Sequence, residues 1–199
     1  MENLWKTFDA FGIYLEKNQV EQLQIHFDLL MRWKEVHNLT TIGDPKKIFL
    51  YHYVDSILGL KALETSPLTH EIYDLGSGAG FPGLVAAVLW PDKDITLVET
   101  SKKKCSFLRL AASSMRLNRV KVLDQRVETL RDVSFAISRA AFSPGNWSVL
   151  DSAITSGGQI AFWLSDKETP NSLHWVLDKQ SYYELEPGNR RQIAVFRKI

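Results

Sequence analysis

The sequence predicts an α/β fold with a mostly parallel sheet and an antiparallel last strand, preceded by a helical N-terminal segment. Three observations support this prediction. Apolar residues recur at helical spacing between residues 20 and 31. From residue 71 onward, short apolar strands alternate with helical segments, the pattern of parallel sheets. A short turn at residues 186–189 separates the last two predicted strands, so these strands must pair antiparallel.

The N-terminal segment contains a second helix start, because Asp44 suits a helix cap and Pro45 a first helical turn. Later helices are predicted at residues 81–90, 101–117, 147–155 and 171–179, and strands at 71–75, 94–98, 120–123, 135–138, 159–163, 182–185 and 192–196. In open sheets of this class, ligands bind beyond the carboxyl ends of the strands.

The chain has 199 residues, enough for one domain with a substantial core. We therefore divide it into a helical N-terminal segment, residues 1–66, packed on the core, and an α/β domain, residues 67–199. No apolar run approaches the roughly 18 residues of a membrane helix. The single cysteine, Cys105, excludes an internal disulfide and agrees with a reducing compartment. We expect a cytoplasmic monomer that does not associate with a membrane.

A glycine-rich run follows the first predicted strand. Asp74 ends this strand, Gly76, Gly78 and Gly80 follow at every second position, and Pro82 suits the start of the next helix. Glycine permits a positive φ angle and a close approach of ligand atoms to the backbone. Free N–H groups at the helix start can face the ligand. The run therefore predicts a site for a nucleotide-type cofactor.

Two cofactor classes compete for this loop. Gly78, Gly80 and Gly83 match the G-x-G-x-x-G fingerprint of dinucleotide sites, whereas the spacing from Asp74 to Gly80 resembles the first motif of class I methyltransferases. Glu99, which ends the next strand, could bind ribose hydroxyls in either class. Asp74 has no function in a dinucleotide site but could bind the amino end of S-adenosylmethionine. The chain also has little room for the substrate domain of a dehydrogenase. These two observations favour S-adenosylmethionine.

The class of atom that accepts the methyl group can be narrowed by excluding reactions whose residues are absent. The Asn/Asp-Pro-Pro-aromatic run of exocyclic amine methyltransferases is absent, since residues 138–142 read Ser-Arg-Ala-Ala-Phe. A cysteine nucleophile for pyrimidine C5 is also missing from the expected loops, because Cys105 lies in the helix after the second strand. A ring nitrogen such as guanine N7 carries its own lone pair and needs only alignment and exclusion of water. We therefore expect no catalytic base and no metal site.

A basic segment runs from residue 102 to residue 131 on a chain whose net charge is only +1. It contains two acids and nine bases, which are Lys102, Lys103, Lys104, Arg109, Arg116, Arg119, Lys121, Arg126 and Arg131. Such a segment is typical either of a solvated helix face or of a surface that contacts phosphates.

Several runs together resemble the glucose-inhibited division protein B family over nearly the whole chain. They are Asn38-Leu39-Thr40, His52-Tyr53-Val54-Asp55-Ser56, the run from Asp74 to Gly83, Arg126-Val127-Glu128, Ile137-Ser138-Arg139-Ala140 and Pro187-Gly188-x-x-Arg191. Members of that family are bacterial methyltransferases of guanine N7 in 16S ribosomal RNA. The resemblance implies S-adenosylmethionine as cofactor and ribosomal RNA, or the small ribosomal subunit, as partner.

The resemblance also implies site residues. Cofactor contacts would fall on Gly76, Phe81, Val127, Glu128 and Arg139. They add to the contacts already predicted from the glycine-rich run and the next strand, which are Asp74, Gly78, Gly80 and Glu99. Substrate contacts would involve Asn38, His52, Asp55 and Arg139.

One departure concerns the residues after the fifth strand, where the family usually has Lys-Gly and this chain has Leu164-Ser165. Two alternatives to the RNA enzyme follow from the sequence. One is a methyltransferase of the same fold that acts on a small molecule, and the other is an RNA-binding relative without catalysis.

Overall fold

The computed structural model describes residues 6–37, 39–64, 69–141, 147–167 and 172–199. Its helices are α1 (Thr7–Ala10), α2 (Lys17–His37), α3 (Pro45–Ile48), α4 (Asp55–Leu63), α5 (Gly83–Leu89), α6 (Lys102–Ser114) and α7 (Ser148–Asp151). Its strands are β1 (Glu71–Leu75), β2 (Asp94–Glu99), β3 (Val120–Asp124), β4 (Val133–Arg139), β5 (Ile154–Ser165), β6 (Trp175–Glu186) and β7 (Asn189–Lys198).

The seven strands form one sheet in the order β3-β2-β1-β4-β5-β7-β6. The first five strands in this order pair in parallel, and β7 runs antiparallel to both of its neighbours. The mostly parallel sheet with an antiparallel last strand is therefore confirmed. Strand order reverses between β1 and β4, and in sheets of this class the crevice at that reversal is the ligand site.

Elements of the N-terminal segment form one side of this crevice. α2 packs against α5 and α6, which places the N-terminal segment against the α/β core. α3 begins where predicted, with the Asp44 carboxylate accepting from the Lys46 N–H at 3.0 Å and Pro45 in the first turn. A π-helical turn (Phe49–Val54) joins α3 to α4. Such turns are frequent at functional sites, and this one carries Tyr51 and His52 to the crevice.

The core lies on both faces of the sheet. The face covered by the N-terminal segment and by α5 and α6 buries large side chains such as Phe49, Tyr53 and Phe107. The opposite face buries Trp147 and Trp175 beneath α7. The site residues lie at the strand ends between these two layers.

The helix predicted at residues 171–179 is wrong. Residues 175–186 form the edge strand β6, which pairs with β7 from Trp175 to Glu186, and residue 171 lies outside the described residues. Its apolar residues satisfied a helical pattern, but pairing with β7 satisfies their backbone groups over a longer stretch. The predicted helix at 147–155 shortens to α7 because Ile154 already pairs with Val133 in β5.

Candidate active site

A cavity of about 650 Å³ opens at the carboxyl ends of β1, β2 and β4. Seven of the predicted cofactor residues line it, Arg139 among them as a predicted substrate residue too, and so do two further predicted substrate residues. They are Gly76, Gly78, Phe81, Glu99, Val127, Glu128 and Arg139, with His52 and Asp55. Asp74 and Gly80 do not line it, and Asn38 lies outside the described residues.

The glycine loop is fixed to β2 through its backbone. The N–H groups of Gly76 and Ser77 donate to the Val98 carbonyl at 2.9 and 3.0 Å. Gly76 has a φ of +76°, and a Cβ built there would lie 2.3 Å from the Cβ of Ala141. Gly78 has a φ of +58°, but a Cβ at this position meets no atom closer than 3.9 Å. Glycine is thus required at position 76 because a side chain would collide with Ala141. At position 78 the absence of a side chain leaves open space beside the loop.

Asp74 lies beneath the loop with its side chain fully buried. One carboxylate oxygen, Oδ2, accepts the N–H of Gly83 at 3.0 Å, which fixes the start of α5. The other oxygen, Oδ1, is buried without a hydrogen-bond partner among the described residues. Burial raises the pKa of Asp74 to about 7. The structure therefore gives Asp74 a supporting position, and its contact with the amino end of a cofactor stays a prediction.

Glu99 ties the loop to α6 at the cavity wall. Its Oε2 accepts the Gly78 N–H at 3.0 Å, and its Oε1 accepts the N–H groups of Thr100 and Ser101, each at 2.9 Å. The side chain is 8% exposed, so its carboxylate is held in place but still borders the cavity. An acid fixed in this way can accept hydrogen bonds from ribose hydroxyls without further ordering.

Arg139, at the end of β4, is held by three groups of the N-terminal segment. Its Nη1 donates to Asp55 Oδ2 and to the Tyr51 carbonyl, each at 2.9 Å, and its Nη2 donates to His52 Nδ1 at 3.1 Å. The guanidinium also lies 5.4 Å from the ring centroid of Phe81. These contacts place one fixed positive charge on the cavity wall.

Asp55 is the anchor of this cluster. The side chain is 2% exposed, and its Oδ1 accepts the hydroxyl of Tyr183 at 2.6 Å and lies 3.5 Å from Arg191 Nε. Tyr183 and Arg191 come from β6 and β7, so one carboxylate joins the helical segment to the end of the sheet. Sequence reasoning gave neither residue a role, since only the fold brings them beside Asp55.

His52 is held as the neutral imidazole. Arg139 can only donate, so Nδ1 of His52 accepts, and Nε2 carries the proton that is donated to Thr40 Oγ1 at 2.9 Å. Burial, followed by the positive charge of Arg139, lowers the pKa of His52 to about 3. The ring stacks on Phe81, with centroids 4.8 Å apart. His52 is therefore a structural support for Arg139 and Phe81 and not a base poised near neutral pH.

His26 supports the glycine loop and was missed by sequence reasoning, because it lies inside the amphipathic helix α2. Its fully buried ring places Nε2 2.9 Å from the Ala79 carbonyl and Nδ1 2.9 Å from the Tyr53 hydroxyl. A carbonyl only accepts, so Nε2 donates and Nδ1 accepts the tyrosine proton. Burial lowers the pKa of His26 to about 4. The neutral ring thus connects α2 to the loop.

This arrangement predicts a loss of stability in acid. The folded-state pKa of His26 lies below the usual 6.5, so only the unfolded chain binds the proton between these values. The stabilisation that the neutral His26 gives is complete above pH 6.5. It falls by about 3 kcal/mol as the pH decreases towards 4. His52 adds in the same direction. In urea titrations at several pH values, His26→Gln should reduce the rise of unfolding free energy between pH 4 and 6.5.

The exposed His174, whose side chain is 69% accessible, provides the matched control. His174→Gln should change the unfolding free energy by less than about 1 kcal/mol, because this side chain is exposed. An equal slope for His26→Gln and the parent chain would contradict the assignment of a neutral, buried His26.

The loop after β3 and part of the basic segment border the same cavity. Val127 is buried in a 3₁₀ turn (Val127–Thr129) after β3, while Glu128 is exposed on the rim. Of the nine bases between residues 102 and 131, all are exposed except Lys104, which is half-buried and lines the cavity. Arg119 pairs with Asp94 at 2.6 Å, but most of the others have no ion pair within the described residues.

The departure at Leu164-Ser165 lies away from the cavity wall. Both residues belong to β5, where Leu164 packs in the core beneath α7 and the Ser165 carbonyl accepts from Gln192 Nε2 at 2.6 Å. The missing Lys-Gly therefore changes no residue that lines the cavity.

The described ranges contain no group of three His, Cys, Asp or Glu side chains arranged to hold a metal ion. None of the helices seen in these ranges is both long and apolar enough to cross a membrane.

The fold and the cavity together define a class I methyltransferase architecture. A variant of MtNAS in complex with S-adenosylmethionine superposes with a TM-score of 0.62 at 14% identity, covering 98% of this chain and 76% of that chain. A putative methyltransferase, yhhF, from Escherichia coli superposes with a TM-score of 0.55 at 13% identity, covering 73% and 86%. Likeness at such identities concerns the fold alone.

The chain belongs to the family described as rRNA small subunit methyltransferase G (GidB), whose family model matches residues 19–168. The resemblance seen in the sequence runs is thereby confirmed. Ribosomal RNA small subunit methyltransferase G of Halorhodospira halophila is 40% identical over 137 residues, which cover 69% of this chain and 64% of that protein. The protein of the same name from Dichelobacter nodosus is 34% identical over 166 residues, covering 82% and 76%. The match thus spans under two thirds of the first relative's length.

Proposed function

We propose that this chain transfers a methyl group from S-adenosylmethionine to N7 of a guanosine in 16S ribosomal RNA. The observation that carries the proposal is the cavity at the strand-order reversal, lined by the glycine loop, Glu99 and Arg139, in a member of this family. A ribosomal RNA substrate also implies a cytoplasmic location. We further propose that residues 1–66 act as a helical segment on the methyltransferase domain, residues 67–199, within a monomer.

The residues present fit the cofactor. A Cβ at Gly78 would point into open space, so a ligand can approach the loop backbone there. Glu99 would accept the ribose hydroxyls, and Val127 and Glu128 would border the adenine. Arg139 would orient the carboxylate of the methionine end or a phosphate of the RNA. When bound, the cofactor supplies an electrophilic methyl group on a sulfonium.

The protein side of the reaction is positioning. Guanine N7 attacks with its own lone pair, so no side chain has to remove a proton. This agrees with His52, whose two ring nitrogens are both engaged in hydrogen bonds. Buried side chains such as Phe81 and Val127 would exclude water from the reacting atoms.

The central experiment compares methylated guanosines in 16S ribosomal RNA with and without this chain. Small ribosomal subunits from a strain lacking guanine-N7 methylation are incubated with the protein and S-adenosylmethionine, and the modified position is mapped by cleavage at 7-methylguanosine. One new methylated guanosine is expected. An unchanged map together with calorimetric binding of NAD instead of S-adenosylmethionine would overturn the proposal.

The basic segment distinguishes an RNA substrate from a small molecule. Lys102, Lys103 and Arg109 are exposed and do not line the cavity. Changing all three to glutamate should raise the KM for ribosomal subunits about tenfold at physiological salt and reduce the salt dependence, because phosphate contacts are lost. The affinity for S-adenosylmethionine should stay within about twofold, since the triple change leaves the cavity wall intact.

Single-charge changes give the matched comparison. Lys103→Glu in the basic segment should weaken RNA use more than Lys17→Glu, whose side chain is 92% exposed on α2. Unchanged turnover of ribosomal subunits by the triple variant would remove the basic segment from the RNA surface. Failure of the parent chain itself to methylate ribosomal subunits, with S-adenosylmethionine still bound, would instead favour a small-molecule acceptor.

A further inference from the structure

The cavity has a second wall that the proposed cofactor contacts leave unused. It is formed by Leu39, Ile42, Tyr51, Leu185, Asn189 and Arg191. These residues come from the helical segment and from the hairpin of β6 and β7, whereas the proposed cofactor residues follow β1, β2, β3 and β4. Arg139 contacts both groups, because it donates to the Tyr51 carbonyl and lies over the Phe81 ring. The cavity therefore has room and lining for a second ligand beside the cofactor.

The chemistry of this second wall suits a flat aromatic base. Leu39 and Leu185 are buried aliphatic side chains, 6% and 3% exposed, and Ile42 adds a third aliphatic surface. Tyr51 contributes an aromatic ring, while Asn189 and Arg191 contribute polar groups at its edge. Protein sites that take an extruded base combine aromatic or apolar faces with a few hydrogen-bonding groups in this way.

Tyr51 is held in place at both ends. Its carbonyl accepts Arg139 Nη1 at 2.9 Å, and its hydroxyl donates to the carboxylate of Glu186 in the turn between β6 and β7. This hydrogen bond is also the main reason why the pKa of the Tyr51 hydroxyl is raised. A ring that is already immobilised loses little conformational freedom when a base stacks on it.

We propose that the ring of Tyr51 is the stacking surface for the target guanine, in the part of the cavity bounded by Leu39, Ile42 and Leu185. This inference rests on the proposed function. Guanine N7 is inaccessible in the deep groove of an A-form helix, so the base must be unstacked to react. An aromatic face replaces the lost stacking. It also favours the methylated guanine, which carries a positive charge.

The test separates RNA use from cofactor binding. In steady-state assays with unmethylated small ribosomal subunits, Tyr51→Leu should raise KM for the subunits or lower kcat so that kcat/KM falls about 10-fold to 100-fold, as expected when a base loses an aromatic partner. Tyr51→Phe keeps the ring and should stay within about threefold. Calorimetric affinity for S-adenosylmethionine should stay within about twofold in both variants. Tyr182→Leu is the matched control, since its ring packs under Arg190 and does not line the cavity.

A second variant covers the case in which Tyr51→Leu unfolds. Ile42→Trp would fill the base space, and should abolish methyl transfer while S-adenosylmethionine still binds. Transfer at the parent rate by Ile42→Trp, or an unchanged kcat/KM for folded Tyr51→Leu, would overturn the base site. An equal loss of cofactor affinity in the Tyr51 variants would also overturn it. Failure of the parent chain to bind S-adenosylmethionine would instead overturn the proposed function.

Discussion

Replacing Asp55 with alanine is expected to be among the most destabilising single changes at the site. The buried carboxylate accepts from Arg139 and Tyr183 and faces Arg191. Its removal would leave two partly buried guanidinium groups without their counter-charge, and breaking a buried pair in this way costs about 3–5 kcal/mol. For a chain of this length, thermal unfolding should occur about 10 °C lower.

The exposed ion pair between Asp178 and Arg197 is the matched control for Asp55. Its two side chains are 24% and 43% accessible, and their N and O atoms are 2.9 Å apart. Asp178→Ala should cost less than about 1 kcal/mol, because water already screens this pair. Comparable losses for the two alanine variants in urea unfolding would contradict the anchoring role of Asp55. The remaining folded fraction of Asp55→Ala should also bind S-adenosylmethionine more weakly, since Arg139 loses its fixed position.

Most of the sheet could be predicted because its signals are local. β1 has the predicted bounds, residues 71–75, since an apolar run ends there at an acid and glycines. The glycine loop could also be predicted, because positive φ angles and a helix start require particular residue types. The first part of the edge strand β6 is wrongly predicted as a helix, whereas its strand at residues 182–185 is confirmed. The exposed side chains of the first part carry no alternation, and only the pairing with β7 decides its conformation.

The cavity lining was predictable only in part, for a different physical reason. Glu99 and Arg139 end strands, and strand ends meet at one edge of a parallel sheet, so their convergence follows from the fold class. The side chains that bind these residues do not follow from the fold class. The sequence separation between Asp55 and Tyr183 is 128 residues, and no local pattern records that their side chains meet. His26 likewise fits the pattern of an amphipathic helix, and no local pattern records its contact with the Ala79 carbonyl.

Asp74→Asn is expected to change stability in opposite directions at low and high pH. The folded-state pKa of Asp74 is raised to about 7 from 3.8, so the folded chain binds a proton that the unfolded chain has released between these values. This contribution is complete below pH 3.8 and is lost as the pH rises through 7, a change of about 4 kcal/mol. Asparagine does not titrate. Relative to the parent chain, the variant should therefore gain stability as the pH rises from 4 to 8.

At pH 5 the variant should be less stable, because its amide N–H₂ enters a buried position where Oδ1 of Asp74 has no partner. Urea unfolding at pH 5 and pH 8 measures both ends of this change, and parallel curves for the two proteins would contradict the raised pKa of Asp74.

Cofactor affinity gives a second, independent result for Asp74. An ionised Asp74 near the amino end of S-adenosylmethionine would make binding stronger as the pH rises through 7 and would release a proton on binding at lower pH. Loss of such a charge-assisted contact in Asp74→Asn should weaken binding about 10-fold to 100-fold. A variant that is more stable at pH 8 but binds the cofactor as tightly as the parent chain would show that Asp74 serves only the start of α5. The carboxylate would then be a support for Gly83, as its hydrogen bond indicates, and the loop backbone alone would meet the amino end.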